Sequence, residues 1–183
     1  RAKPSVTELA SDRAKLPKKI SEFIKTRSND DENFSRIISN YFLFHFSPYK
    51  SMFDFNSWGE YIEYLMKFDI RSLKCDIVKS FEECDIANFL YINGIDYEYE
   101  KRYEMKTVDE KHMQYKPDFF LPQYGLYIEH FGINRKGRTA PYIAQIRYDE
   151  EIKWKRNVHR ENKTTLIETY SYEKQERKLL SNL

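Results

Sequence analysis

The segment KPDFFLPQYGLYIEHFG, from Lys116 to Gly132, sets two apolar runs, Phe119, Phe120, Leu121 and Leu126, Tyr127, Ile128, on either side of Gln123-Tyr124-Gly125. Aromatic and branched residues bounded by a glycine turn predict a β-hairpin with both strands buried. Asp118 follows Pro117 and Glu129 comes eleven residues later, each at the polar edge of that hairpin. A carboxylate on so apolar a strand costs several kcal/mol unless a charged group meets it. A divalent cation is one candidate partner.

The rest of the chain must supply layers to cover those strands. Its 183 residues, 40% hydrophobic and 16% aromatic, suffice for one core with an accessory layer but not for two full-sized domains. The 15 Tyr and 13 Phe against 5 Gly and 6 Pro argue for packed elements joined by short loops.

Periodicity divides the chain near residue 75. Before it, Leu16, Ile20, Phe23 and Ile24, then Phe34, Ile37, Ile38, Tyr41 and Phe42, then Trp58, Tyr61, Ile62 and Leu65 repeat at helical spacing. Three helices are predicted in an annex over 1–74, with Tyr41, Phe42, Phe44 and Phe46 as packing residues and Asn56 or Ser57 capping the third. The core spans 75–183. Ser80 with Glu83 has capping-box spacing and opens a helix through Ile86, Ala87, Phe89 and Leu90 that Asn93-Gly94 ends. Alternation from Ile95 predicts a strand with Tyr97, Tyr99 and Tyr103 on one face. After the hairpin, residues 141–161 read as a long helix carrying Ile143, Ile146, Ile152, Trp154 and Val158. Asn162-Lys163 stops it, a strand follows from Thr164 to Tyr170, and a last helix spans roughly 172–181. The expected fold class is α/β, with an αβββαβ core around a mixed sheet preceded by helices.

A formal net charge of +2 does not identify a nucleic-acid binder, so the distribution matters. Cations concentrate between Arg135 and Lys163, a run that a solvated helix face also explains. Only Cys75 and Cys84 are present, and no apolar run is long enough to cross a bilayer, which predicts a cytoplasmic protein without membrane attachment. The four histidines lack zinc-site spacing, and no Walker motif, dinucleotide loop or nucleophile elbow is visible. The chain begins with Arg rather than Met, as expected of a piece of a longer protein.

With Asp118 opening the second strand and Glu129 late in the third, residues 78–172 resemble the restriction-endonuclease-like, or PD-(D/E)xK, nuclease superfamily. More narrowly, VKSFEECDIANFLYINGIDYEYE, KPDFFLPQYGLYIEHFG and WKRNVHRENKTTLIETYSYE are similar to the nuclease-like segment attached to or inserted in UvrD-type superfamily 1 DNA helicases. The resemblance implies that Asp118 and Glu129 are the motif acids, that Glu83 is the glutamate many members carry on the first helix, and that all three hold Mg2+ or Mn2+. A magnesium ion held by carboxylates stabilises charge on the phosphoryl oxygens and supplies a hydroxide. The chain departs from the family at Phe131, where the motif has lysine; a phenyl ring cannot stabilise developing negative charge. Some members supply that cation from a helix, and Lys155, sharing a helix face with Glu151 and His159, is the candidate here.

Each residue has a plainer reading. Glu83 can be the reciprocal half of a capping box, Asp118 a strand-edge residue after Pro117, and Lys155 a solvated helix residue. His130 faces away from Glu129 and reads as structural. Arg135, Lys136, Arg138 and Arg156 are candidates for holding DNA phosphates, or solubilising cations. Two functions follow: a magnesium-dependent DNA endonuclease domain of a larger helicase-nuclease in repair, processing or defence, or a catalytically inactive nuclease-like domain that binds DNA or docks a helicase motor.

Overall fold

A computed structural model describes residues 6–46, 49–68 and 70–183, with side chains from residue 15 onward except those of 40 and 43–46. The chain divides into two compact units, Arg1–Ser47 and Pro48–Leu183. The first holds α1 (Val6–Asp30) and α2 (Glu32–Phe46). Asp31 breaks them apart and caps the second, its Oδ1 accepting from the Phe34 N–H at 3.0 Å. Phe23 meets Phe34 edge to face at 6.0 Å, and Tyr41 meets Phe42 at 5.8 Å. The packing expected of Phe44 and Phe46 lies outside the described side chains.

The second unit opens with a short 3-10 turn, Met52–Asp54, and α3 (Trp58–Met66), whose cap is Ser57: its Oγ accepts from the Glu60 N–H at 3.2 Å. Periodicity groups α3 with the annex, but its contacts lie here. Tyr64 and the following Phe68 pack against Phe81 at 5.6 and 5.4 Å between ring centroids. Phe81 begins α4 (Phe81–Ile92), capped by Ser80 and ended at Asn93 before Gly94, whose φ of +68° suits glycine.

The sheet runs in the order β1 (Glu98–Tyr99), β2 (Phe119–Leu121), β3 (Leu126–Phe131), β4 (Thr165–Tyr170). The first three strands are antiparallel neighbours and β4 is parallel to β3, so the sheet is mixed. A parallel pair needs a crossover, which α5 (Gln145–Glu161) provides. The α/β class and the α4-β1-β2-β3-α5-β4 order therefore match the expected αβββαβ succession.

Side-chain alternation gives the sheet two buried faces. Phe119, Leu121 and Ile128 pack with Ile86, Ala87 and Leu90 of α4 on one; Phe120 and Tyr127 pack with Val158 of α5 on the other. Four expectations need correction. The first strand is short, because Glu100 adopts a left-handed φ of +48°. That turn sends Tyr103 to the α5 layer while Tyr97 and Tyr99 stay with α4, so the three do not share a face. Ile146 is 77% exposed, since the six residues separating it from buried Ile152 rotate it about 120° off the inward stripe. The last helix, α6, covers only Ser171–Gln175, because Arg177 turns the chain with a φ of +58°.

Candidate acidic site on the central sheet

The site forms where β2 hands its ladder to a side chain. Phe119 pairs with Ile128, so the register carried one residue further sets Asp118 beside Glu129. Beyond β2 the carboxylate itself serves the ladder, Asp118 Oδ2 accepting from the His130 N–H at 2.7 Å. Glu129 alternates with Tyr127 and Phe131 toward α5 and is fully buried. Its Oε1 accepts from the Tyr115 hydroxyl at 2.7 Å and its Oε2 from Lys155 Nζ at 2.6 Å. Glu83 sits in the first turn of α4: Oε1 accepts from Ser80 Oγ at 3.1 Å, and Oε2 from the Tyr99 hydroxyl at 2.5 Å and the Lys79 N–H at 3.3 Å. Glu83 thus stabilises the helix start while standing within the electrostatic reach of Asp118.

Burial, and then the charge of Asp118, push the carboxyl groups of Glu83 and Glu129 each up to about 8. Burial also raises Asp118, opposed by Lys155 and the His130 N–H. Burial works against the Lys155 ammonium, but Glu129 and Asp118 outweigh it and raise its pKa. The three acids carry surplus negative charge over Lys155 once Glu83 and Glu129 ionise, and an all-oxygen donor set suits a hard divalent cation. The donors fit in kind. Among the described residues, however, no group of three or more Asp, Glu, His or Cys is disposed to hold a metal ion. Two carboxylates with substrate oxygens and water are the set such an ion ordinarily uses.

Glu129 also ends a chain of hydrogen bonds that is buried at its own end and part-buried beyond. Tyr103 Oη lies 2.6 Å from Thr164 Oγ1, which lies 2.8 Å from His159 Nδ1; His159 Nε2 is 3.1 Å from Tyr115 Oη. Burial pushes His159 down to about 4, so the ring carries one N–H at neutral pH. With Glu129 ionised, Tyr115 gives its single proton to the carboxylate, which leaves only its lone pairs for His159. Nε2–H therefore donates, Nδ1 accepts from Thr164, and Thr164 accepts from Tyr103. Helical spacing brings His159 to the Lys155 face, but neither tyrosine nor Thr164 was legible as part of the site.

Phe131 has a consequence of its own. Lys155 Nζ lies 5.8 Å from the ring centroids of both Phe131 and Tyr115, and Arg156 stands 5.8 Å from Phe131. The ring in the strand position is thus a floor for cations carried by α5. His130 is on the opposite face, Nδ1 3.0 Å from Thr169 Oγ1 and Nε2 3.3 Å from Ser171 Oγ, with burial pushing it down to about 4.

The candidate phosphate-holding cations differ in how they are engaged. Arg156 binds Glu168 through two contacts of 2.6 and 2.7 Å, and Arg135 is held by Glu176. Lys136 and Arg138 are exposed in a loop folded around Asn134 Oδ1, which accepts both of their backbone N–H groups. Lys79, Arg102, Lys111 and Lys116 line the cleft beside Lys155. They come from separate loops, so no single run signals them. No helix among the described residues is long and apolar enough to cross a membrane. No family model matches the chain, nor does any curated protein or solved structure.

Proposed function

We propose that the second unit is a metal-dependent DNA endonuclease domain that hydrolyses phosphodiester bonds. The observation that carries this reading is the 2.6 Å contact between Lys155 and Glu129, reached from the helix where the strand offers only Phe131. Its other supports are the pairing of Asp118 with Glu129, the surplus of buried carboxylates, and the likeness of the core's succession of elements to the PD-(D/E)xK family. The likeness of three segments to helicase-associated nucleases supports a role within a larger helicase-nuclease acting in DNA repair, processing or defence.

On this reading Asp118 and Glu129, with Glu83 behind them, hold Mg2+ or Mn2+. When bound, the ion polarises the phosphoryl oxygens and lowers the pKa of water. Lys155 stabilises the negative charge that develops on the phosphoryl group and orients the attacking water. Tyr115 fixes the Glu129 carboxylate, and Phe131 holds the ammonium on its ring.

A second reading has a specific observation in its favour. Both oxygens of Glu129 are satisfied internally, by Tyr115 and Lys155, as in a domain that keeps the acids for structure and binds DNA or a helicase motor without cutting. Cleavage of supercoiled and linear DNA with Mg2+ or Mn2+ separates the two. The endonuclease reading expects cleavage that is lost in Asp118→Asn and Glu129→Gln while DNA binding survives; cutting that persists in both variants removes it.

A further inference from the structure

Beside Lys155 and Tyr115 lies an open cleft of about 740 Å3, bounded by the 111–116 segment and by Glu151 and Trp154 of α5. Its charge is mainly positive. Lys79 pairs with Glu100 and Lys155 with Glu129, whereas Arg102, Lys111 and Lys116 are exposed and have no ion-pair partner among the described residues. Such a rim suits a chain of phosphates.

The floor is aromatic and held in place. His112 lies flat on Trp154, ring centroids 4.1 Å apart and planes 8° from parallel, and Trp154 stands edge-on to Tyr115 at 5.5 Å. Asp109 anchors the outer ring: Oδ1 accepts from the His112 N–H at 2.7 Å, and both carboxylate oxygens lie 2.9 Å from Nδ1. The His112 side chain is still 23% exposed at the cleft. A flat ring ledge next to unpaired cations has the two elements that bind a single strand, a π-face for a base and charges for its backbone. A duplex hides its base faces in its own stack, so only an unpaired or extruded base can use the ledge.

We infer that this cleft binds single-stranded DNA, one base stacked on the His112–Trp154 ledge and the adjoining phosphates on Lys111 and Lys116. The assignment of the strand as a substrate rests on the endonuclease reading of the adjacent acids; the binding does not. The test therefore measures binding in EDTA, by fluorescence anisotropy of labelled oligo-dT, an abasic strand of equal length, and a duplex. Oligo-dT binds more tightly than the abasic strand, and His112→Ala, its fold verified by circular dichroism, weakens oligo-dT about tenfold while leaving the abasic strand unchanged. Lys111→Glu with Lys116→Glu weakens both strands and flattens the salt dependence. Equal affinities for oligo-dT and the abasic strand, an equal effect of His112→Ala on both, a duplex bound as tightly as oligo-dT, or no strand binding overturns the inference. Base-dependent binding without any metal-dependent cleavage supports the cleft and removes the endonuclease reading. Cleavage without the base-dependent increment does the reverse.

Discussion

Replacing Lys155 by Met keeps most of the side-chain volume and removes the ammonium 2.6 Å from a fully buried carboxylate. Truncating one partner of a buried pair costs about 3–5 kcal/mol. Lys155 retains 21% exposure and Glu129 keeps the Tyr115 hydroxyl, so about 2–3 kcal/mol is expected at pH 10, where the carboxyl is ionised in the parent protein. The pH dependence follows from the direction of the Glu129 shift. Its folded value is raised from 4.5 to about 8, so over that window the folded protein binds more protons than the unfolded chain and loses stability as pH rises. Lys155 opposes the shift; without it the shift grows and the loss deepens. At pH 5 the carboxyl is protonated in both proteins, and the penalty of the substitution shrinks toward zero. Urea unfolding followed by tryptophan fluorescence at pH 5 and pH 10 measures both. Adding Glu129→Gln to Lys155→Met should recover most of the loss at pH 10. A penalty of equal size at both pH values, or one that the second substitution leaves intact, refutes the account of a charged pair.

Three further outcomes are open to direct measurement. Tyr115→Phe removes the donor to Glu129 Oε1 and the acceptor for His159, and should lower unfolding free energy by about 1–3 kcal/mol in urea titrations. Lys163 closes α5 with a φ of +54°, its N–H reaching Arg160 O at 3.3 Å and the Thr164 N–H reaching His159 O at 3.0 Å; Lys163→Gly should stabilise the unit by about 1 kcal/mol, read from the denaturation midpoint. Protons on Glu83 and Glu129 compete with a divalent cation, so thermal stabilisation by Mg2+ should grow from pH 6 to pH 8.5 and fall sharply in Asp118→Asn. A magnesium effect that is flat across that range contradicts the shared site.

What could be seen in the chain beforehand was what obeys local rules. The glycine turn at Gly125, the Ser80 cap, and the α5 stop at Asn162-Lys163 are short-range features, and each stands where expected. The same alternation that buries Phe119 and Ile128 also orients Glu129 toward α5, and helix spacing then brings Lys155 to it and His159 to its partner Tyr115. Alternation failed at Glu100, where one left-handed residue redirected Tyr103, because a β period carries no warning of a positive φ. Pairings across long stretches were equally hidden: Tyr103 reaches Thr164, Arg135 is engaged by Glu176, and Arg156 by Glu168. These depend on which loop ends meet once the sheet has formed.

The chain from Tyr103 to Glu129 admits only two consistent arrangements of its protons. While Glu129 is ionised, every hydrogen bond in it points toward the carboxylate. When Glu129 takes a proton and donates to Tyr115, that hydroxyl turns to His159, the imidazole exchanges one tautomer for the other, and Thr164 then donates to Tyr103. The charge on one buried acid is thereby written into the orientation of a hydroxyl on a loop beyond β1, so that His159 reports by its tautomer whether Glu129 is charged.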